Sequence, residues 1–341
     1  MHSGADAVTG ATILGCLGPV LSAAERAFLA DADPWGFILF ARNVETPDQL
    51  RRLTHDLRAT VGRDAPVLVD QEGGRVQRLR APCWREFPPA LDQTARVAPQ
   101  HRGRAMWLRG RLIADDLRAV GIDVNCAPSA DIAEAGTHPF LRNRCYGEDV
   151  ATVVEAAQAM VAGLAAGGVL PVMKHMPGHG RARLDTHNEL PRVDAPLADL
   201  MQQDFAPFRA LRDLPMAMTA HIVFAAVDPH APATLSAAMV RVIRDRIGFD
   251  GLLMSDDLSM QALSGTHFQR AAGVIAAGCD LVLHCNGDRG EGGQVVAAAG
   301  RMTAAAARRA DAALAQRRAP EPADLQALAA EYAALLGADD V

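Results

Sequence analysis

The sequence predicts an α/β fold, a single (β/α)₈ TIM-like barrel with extra helices at its C-terminal end. Short apolar runs rich in Val, Ile and Leu alternate with longer amphipathic segments. The runs are apolar throughout, which is typical of parallel strands that helices cover on both faces. In addition, ionisable residues follow the ends of most runs, as expected for a barrel that carries a site at one face.

The apolar runs predict the strands, and the segments between them predict the helices. Eight runs lie at 11–17, 35–41, 66–69, 121–126, 168–173, 214–219, 250–254 and 279–284. Helices are predicted at 21–31, 46–60, 102–119, 149–166, 195–211, 236–246, 267–277, 293–316 and 321–337. Because no linker divides the chain, we expect one catalytic barrel domain over 1–341, with 293–341 as C-terminal helices packed on it.

Composition excludes several classes of protein. The 341 residues are 50% hydrophobic and 22% charged, and the net charge of −6 offers no basic face to nucleic acid. The six cysteines form no CxxC pair, so we expect reduced thiols and a cytoplasmic location. Residues 1–10 contain no Lys or Arg, so 11–17 resembles a core strand more than a signal peptide. No run reaches the roughly 18–20 residues of a membrane span. We expect a monomer without nucleic-acid or membrane partners.

Ionisable residues follow the predicted strands at the point where each strand ends. They are Asp70 after the third run, Asp131 and Arg144 after the fourth, Lys174 and His175 after the fifth, His221 after the sixth, Asp256 and Asp257 after the seventh, and His284 and Asn286 at the eighth. In a (β/α)₈ barrel these strand ends meet at one face, where the active site lies. We therefore expect these side chains to converge.

The segment 174–187 concentrates ionisable side chains on a predicted loop, and three interpretations compete for it. It contains Lys174, His175, His179, Asp185 and His187. A metal site would need the histidines on one helix face, but Pro177 and Gly178 break any helix between His175 and His179. A phosphate loop would need a Gly-Lys-Ser/Thr ending, which is missing. We therefore favour a catalytic loop over a metal site or a phosphate loop.

Within this loop, Asp185 and His187 could form a proton-transfer pair. An Asp two residues before a His can bond one ring nitrogen and leave the other for proton transfer, although the same pattern also occurs in surface turns. We expect His179 to be structural. We also expect the loop 178–188 to close over a ligand, because catalytic lids are commonly such loops.

Two further motifs carry carboxylates at strand ends. In Ser255-Asp256-Asp257, we expect Asp257 to cap a helix from Leu258 onward, which leaves Asp256 as an ionised carboxylate at the barrel mouth. A carboxylate nucleophile with a separate acid/base is the arrangement for retaining glycoside cleavage.

The run Asp70–Arg78 follows the third predicted strand directly. We expect Asp70 to bind sugar hydroxyls, and we interpret Glu72, Arg75 and Arg78 from the residues alone as structural partners, with Glu72 pairing Arg75. Arg144 and Lys174 could instead bind an anion, so a phosphorylated substrate stays open at this point.

Five ordered motifs together resemble one enzyme family. They are Asp70-Gln71-Glu72-Gly73-Gly74-Arg75-Val76-Gln77-Arg78, Arg144-Cys145-Tyr146-Gly147, Lys174-His175-Met176-Pro177-Gly178-His179-Gly180, Asp185-Thr186-His187 and Ser255-Asp256-Asp257-Leu258-Ser259-Met260. Over about residues 10–290 the chain resembles the single-domain β-N-acetylhexosaminidases of glycoside hydrolase family three, the peptidoglycan-recycling type.

The resemblance implies a role for each matched residue. Asp256 would be the nucleophile, His187 the acid/base and Asp185 its partner. The GlcNAc would be held by Asp70, Arg144, Lys174 and His175, and Arg78 is placed with these substrate-binding residues. Such enzymes release β-linked GlcNAc from muropeptides, typically GlcNAc-1,6-anhydro-MurNAc, without a metal or cofactor. A His acid/base departs from the usual two carboxylates.

The departures from the family pattern leave the leaving-group preference open. Met176 and Cys145-Tyr146 stand where an aromatic residue and Ser-Phe are usual, and the loop at 181–184 is unusually basic. The rival functions are a β-glucosidase or β-xylosidase, a glycoside phosphorylase with the same residues, and a sugar-binding barrel without catalysis.

Overall fold

The computed structural model describes residues 8–184 and 189–337. Their strands are β1 Gly10–Gly15, β2 Pro34–Leu39, β3 Val67–Val69, β4 Val124–Asn125, β5 Leu170–Pro171, β6 Met173–Met176, β7 Arg192–Val193, β8 Met216–Thr219, β9 Val223–Phe224, β10 Leu252–Asp257 and β11 Leu281–His284. Nine of them form a parallel sheet in the order β5-β4-β3-β2-β1-β11-β10-β8-β6, and β7 pairs with β9 separately.

The two ends of this sheet are consecutive pieces of one strand, so the sheet nearly closes into a barrel. Only Val172 separates β5 from β6, and its N–H donates toward the Asn125 and Ala127 oxygens at 2.9 and 3.0 Å. This strand pairs with β4 through Leu170 and Pro171 and with β8 through Met173 and Met176, so it has a neighbour on each side. Counting β5 and β6 together gives eight strand positions, and the predicted (β/α)₈ fold is confirmed.

Helices surround this sheet. They are α1 Ala23–Ala32, α2 Pro47–Val61, α3 Ala90–Arg96, α4 Arg102–Arg118, α5 Pro139–Arg142, α6 Val150–Ala166, α7 Leu197–Gln202, α8 Ala206–Ala210, α9 Ala237–Arg241, α10 His267–Ala277, α11 Arg289–Ala299, α12 Ala304–Leu314 and α13 Leu325–Leu336. None of the described helices is long and apolar enough to cross a bilayer.

Two predicted helices are each divided in two. The helix expected at 195–211 becomes α7 and α8, because Pro207 near the start of α8 cannot continue a preceding helix. The helix expected at 293–316 becomes α11 and α12, because Gly300 adopts a φ of 62° after α11. The short helices α3 and α5 were not predicted.

Local caps fix the starts of several main helices. Ser22 and Glu25 form a reciprocal capping box at α1, and Thr46 and Asp149 accept backbone N–H groups at α2 and α6. The strands are covered on both faces, as the apolar runs predicted, since every residue of β1, β2 and β3 is buried. This rigid frame positions the loops that follow the strands.

Helices α4 and α6 pack closely because each carries a glycine at the contact. A Cβ on Gly163 would lie 2.2 Å from the Trp107 carbonyl oxygen, and one on Gly110 would lie 2.4 Å from the Met160 oxygen. Real Cβ atoms do not approach backbone oxygen so closely, so the two helices need hydrogen at both positions.

We predict that Gly163→Ala destabilises the protein by about 1–3 kcal/mol, because the added methyl group overpacks a backbone contact. Chemical denaturation measures the change. Gly293→Ala is the matched control, since Gly293 also lies in a helix and a Cβ there meets nothing within 4 Å. Ala favours helix by about 0.5–1 kcal/mol over Gly, so the control should be neutral or slightly more stable. Equal stability of the two variants would contradict the packing argument.

Candidate active site

One cavity at the C-terminal ends of the barrel strands collects most of the predicted site residues. Asp70 follows β3, Lys174 and His175 belong to β6, and Asp256 belongs to β10. The cavity is lined by all four together with Arg78, Phe40, Phe140, Arg144, His179, Met218, Asp257, Met260 and Cys285, among others. Asp185 and His187 lie outside the described residues, so their positions stay predictions.

The floor of the cavity is a buried chain of ion pairs. Lys174 Nζ lies 2.9 Å from Asp70 Oδ1 and 2.6 Å from Glu72 Oε1. Arg78 donates to Asp70 Oδ2 at 3.0 Å, and Arg144 donates to both Glu72 oxygens at 2.8 and 2.9 Å. Lys174 is only 2% exposed, so its ammonium requires these carboxylates.

The same ion pairs keep the carboxylates ionised. Burial by itself raises the pKa of Asp70, but the charges of Lys174 and Arg78 outweigh it and hold that pKa below its ordinary value. Burial likewise opposes ionisation of Glu72, yet Arg144 and Lys174 lower its pKa to about 2. Both groups therefore carry negative charge at neutral pH.

The predicted pairing of Glu72 with Arg75 is wrong. Glu72 binds Arg144 and Lys174 instead, whereas the Arg75 guanidinium lies 3.7 Å from the centre of the Phe140 ring. Gly73 and Gly74 adopt φ values of 105° and 56°, and this turn separates the two side chains. Glu72 is a structural partner, as expected, but its partners come from distant loops.

Arg78 satisfies both interpretations that the sequence suggested. It forms an ion pair with Asp70, which makes it a structural partner. It also lines the cavity, so it is placed to contact a ligand. Its guanidinium lies 5.2 Å from the centre of the Phe40 ring, an arrangement that adds a cation–π contact.

His175 is fixed by one partner on each ring nitrogen. Its Nδ1 lies 2.7 Å from Asp131 Oδ2, and its Nε2 lies 3.1 Å from Arg144 Nη2. Since a guanidinium can only donate, Nε2 accepts, and the proton of the neutral ring is on Nδ1. Asp131 was noted after the fourth strand but given no role. The signal was its place at a strand end.

His179 does not resemble a proton-transfer group. Burial lowers its pKa to about 4, so the ring is neutral at neutral pH. Its backbone N–H donates to Asp131 Oδ1 at 2.7 Å, and its ring packs against the edge of His175 at 5.5 Å between centres. In residues 8–184 and 189–337, no group of three or more His, Cys, Asp or Glu side chains is arranged to hold a metal ion.

Asp257 holds a turn and not a helix, so the predicted cap at Leu258 is wrong. Its Oδ1 accepts the N–H groups of Ser259 and Cys285 at 3.1 and 3.0 Å. The chain continues as turns, and α10 begins at His267 with Thr266 as its cap. Asp257 nevertheless orders the chain beside Asp256, as a capping residue would.

Asp256 faces the cavity as an ionised carboxylate. Its Oδ1 accepts the N–H of Asp257 at 2.8 Å. Burial raises its pKa, but His221, His175 and that hydrogen bond outweigh burial and lower it below the ordinary value. His221 is held in place by Thr234 Oγ1 at 2.8 Å and by the Asp257 carbonyl oxygen at 3.0 Å. Chemically, Asp256 presents an ionised carboxylate with no Lys or Arg partner among the described residues, beside a network of paired charges.

Comparison with known proteins identifies the family. The family model described as the glycosyl hydrolase family 3 N-terminal domain matches residues 14–314. The chain belongs to glycosyl hydrolase family 3. A family 3 assignment is what the five motifs predicted, and it is confirmed.

Relatives within family 3 match most of the chain. A β-hexosaminidase of Methylococcus capsulatus is 38% identical over 274 residues, covering 79% of this chain and 81% of the relative. A β-hexosaminidase of Bordetella avium is 39% identical over 259 residues, covering 74% of this chain and 73% of the relative.

Solved structures show the same family 3 barrel. NagZ from Neisseria gonorrhoeae in complex with N-trifluoroacetyl-D-glucosamine is 30% identical with a TM-score of 0.84, covering 96% of this chain and 98% of that one. A family 3 β-N-acetylglucosaminidase from Paenibacillus sp. is 28% identical with a TM-score of 0.81. It covers 97% of this chain, which spans 62% of that protein's chain.

We predict that Glu72→Gln weakens the fold and changes its response to acid. The variant removes the buried negative charge that pairs with Lys174 and Arg144, which should lower the free energy of unfolding by about 3–5 kcal/mol at pH 7. Folding lowers the pKa of Glu72 from 4.5 to about 2, so its ionisation stabilises the protein above about pH 4.5. That contribution, about 3 kcal/mol at most, is lost as the pH falls toward 2.

Urea unfolding between pH 7 and pH 3 measures both effects. The wild-type protein should lose stability more steeply with acid than Glu72→Gln. Glu86→Gln is the control, because Glu86 pairs with Arg80 at the surface and should contribute no more than about 1 kcal/mol. Parallel acid profiles for wild type and Glu72→Gln would contradict the role of the buried carboxylate.

Proposed function

We propose that this chain is a retaining exo-β-N-acetylglucosaminidase that removes terminal β-linked GlcNAc from muropeptides such as GlcNAc-1,6-anhydro-MurNAc during peptidoglycan recycling. The broader class, a glycoside hydrolase of the β-N-acetylhexosaminidase type, follows from family 3 membership and from relatives that carry this activity in their names. The single observation that supports the mechanism is an ionised Asp256 in the same cavity as the predicted sugar-binding residues.

The first step of the proposed mechanism makes a covalent intermediate. A carboxylate oxygen of Asp256 forms a bond to the anomeric carbon while the bond from that carbon to the glycosidic oxygen breaks. His187 gives its proton to the leaving oxygen. Asp185 accepts a hydrogen bond from the other ring nitrogen of His187 and so orients the ring. Both residues are assigned by their motif, since they lie outside the described residues.

The second step releases GlcNAc and restores the protein. Neutral His187 now takes a proton from water, whose oxygen attacks the anomeric carbon as the ester bond to Asp256 breaks. An unperturbed His has a pKa of about 6.5, so both of its protonation states are accessible near neutral pH. Two inversions at the same carbon leave the β configuration unchanged.

The charge pattern of the cavity favours a neutral sugar over a phosphorylated one. Each cation that lines it, Arg78, Arg144 and Lys174, already has a carboxylate partner. Asp131 and Asp256 add negative charge nearby. A phosphate group would have to compete with these carboxylates, whereas hydroxyl groups can both donate to the carboxylates and accept from the cations. The same argument favours water over phosphate as the second nucleophile.

We also propose a monomeric, cytoplasmic protein. All six cysteines belong to the described residues, and all are free thiols. Five of them are buried, and burial raises the pKa of several, for example Cys16 to about 12. Thiols of this kind are typical of proteins that fold in a reducing compartment.

We predict that Asp256→Ala abolishes turnover of 4-nitrophenyl β-GlcNAc, because the alanine removes the carboxylate that forms the covalent intermediate. A 5-fluoro derivative of GlcNAc with a fluoride leaving group should label wild-type protein at Asp256, as peptide mass spectrometry would show. Asp250→Ala is the control, since Asp250 lies two residues before the start of β10, at the end away from the cavity, and is exposed. It should keep full activity. Substantial turnover by Asp256→Ala, or a label on another residue, would overturn the assignment.

A further inference from the structure

Asp131 stands apart from the other buried carboxylates of the site because it collects hydrogen bonds and not cations. It is 0% exposed. Its oxygens accept from Ser129 Oγ at 3.1 Å, from His175 Nδ1 at 2.7 Å and from the His179 N–H at 2.7 Å. Within the described residues it forms no ion pair with Lys or Arg, in contrast to Asp70 and Glu72.

One oxygen of Asp131 determines which nitrogen of His175 carries the proton. Oδ2 accepts from Nδ1, so Nε2 is left as the acceptor that Arg144 requires at 3.1 Å. If the carboxylate became an amide, its NH₂ could face Nδ1 and force the proton onto Nε2. Two donors, Nε2–H and the Arg144 guanidinium, would then face each other.

The other oxygen holds the chain where the predicted catalytic loop begins. Oδ1 accepts the N–H of His179, which follows β6 by three residues. Next to it, Gly180 packs so closely on the Ile132 carbonyl oxygen that a Cβ would lie 1.9 Å away. Thr137 Oγ1 donates to the Gly180 oxygen at 2.6 Å. The start of this loop is therefore fixed to the segment after β4.

The segment that carries Asp131 is itself attached to β6 by its backbone. The Ala130 N–H donates to the Lys174 oxygen at 2.7 Å, and the Lys174 N–H donates to the Pro128 oxygen at 3.0 Å. Asp131 thus belongs to a rigid support that holds one sugar-binding residue and one end of the loop at the same time.

We propose that Asp131 is a positioning residue that couples the sugar-binding ring of His175 to the start of the loop that carries Asp185 and His187. This inference rests on the proposed function and extends it. A purely structural carboxylate would affect only the amount of folded protein. A positioning residue would change sugar affinity through His175 and proton donation through the loop, without touching the substrate itself.

The test compares Asp131→Asn with the wild-type chain on two substrates and one inhibitor. Phenyl β-GlcNAc has a poor leaving group that needs a proton, whereas 2,4-dinitrophenyl β-GlcNAc has a leaving group that needs none. GlcNAc serves as a competitive inhibitor, and its inhibition constant measures how tightly the site binds the sugar. Asp123→Asn is the control for loss of a buried carboxylate away from the site. Asp123 precedes β4 at the other end of the barrel, accepts the Val67 N–H at 2.8 Å and, unlike Asp131, also pairs with Arg58 and Arg317.

The proposal predicts a selective loss. In Asp131→Asn, kcat/KM for the phenyl glycoside should fall about 10- to 100-fold, by analogy with the loss of a carboxylate that orients a metal-binding His. The dinitrophenyl glycoside should lose several-fold less, and the inhibition constant of GlcNAc should rise. Asp123→Asn should change all three values in proportion to the folded fraction only.

Several results would contradict the proposal. Equal losses on both substrates with an unchanged GlcNAc inhibition constant would make Asp131 merely structural. A change in only one of the two readouts would overturn the coupling. If Asp131→Asn does not fold, Ser129→Ala, which removes one bond to Oδ2, should show a smaller change in the same direction, and no change would overturn the inference. A wild-type chain inactive on both substrates would instead overturn the proposed function.

Discussion

The site depends on the burial of the Lys174 ammonium between two carboxylates. An isolated buried ammonium is too costly to persist, so Lys174 requires Asp70 and Glu72 within hydrogen-bonding distance. Asp70 and Glu72 follow β3, whereas Lys174 belongs to β6, and β4 lies between these two strand positions of the barrel. The ion pairs therefore cross the mouth of the barrel and set the distance between its loops.

A second set of contacts continues from this centre to the loop after β6. Arg144 binds Glu72 on one side and His175 on the other, and Asp131 then joins His175 to the His179 backbone. Each group in this chain restrains the next one, so the sugar-binding residues form one connected support. Preorganisation of this kind lets a site hold a sugar without paying for the ordering of each side chain separately.

The expected closure of loop 178–188 over a ligand is considered separately for the two parts of the loop. Residues 178–180 and Ala182 are buried, and Gly178 and Gly180 make close backbone contacts with Asp204 and Ile132. Their missing side chains therefore serve packing in this part of the loop. Residues 185–188 lie outside the described residues, so the predicted closure there stays a prediction.

Much of the site could be predicted from the sequence, because a parallel barrel places the residues that follow its strands at one face. Asp70, Lys174, His175 and Asp256 each follow or end an apolar run, and parallel strands of a barrel place such ends at one face. The pairing of Glu72 with Arg144 could not be predicted, since 72 residues separate them and the turn at Gly73 and Gly74 decides where Glu72 points.

Local patterns failed where a neighbouring element decided the outcome. Asp257 preceded an apparent helix start, yet the bond from the Cys285 N–H joins it to β11 and a turn follows. Asp131 has no motif of its own, because its partners come from the loop after another strand. The break of the predicted helix 293–316 at Gly300 could not be predicted, because its only signal in the sequence is a glycine, a residue that helices sometimes tolerate.

The central claim is that the cavity holds a neutral GlcNAc and transfers it to water with retention, as a covalent intermediate on Asp256 requires. Proton NMR of the first product formed from GlcNAc-1,6-anhydro-MurNAc in phosphate buffer tests this claim most directly. The account predicts β-GlcNAc first, with the α anomer appearing only at the rate of spontaneous mutarotation. Initial release of α-GlcNAc, or of GlcNAc 1-phosphate, would contradict it.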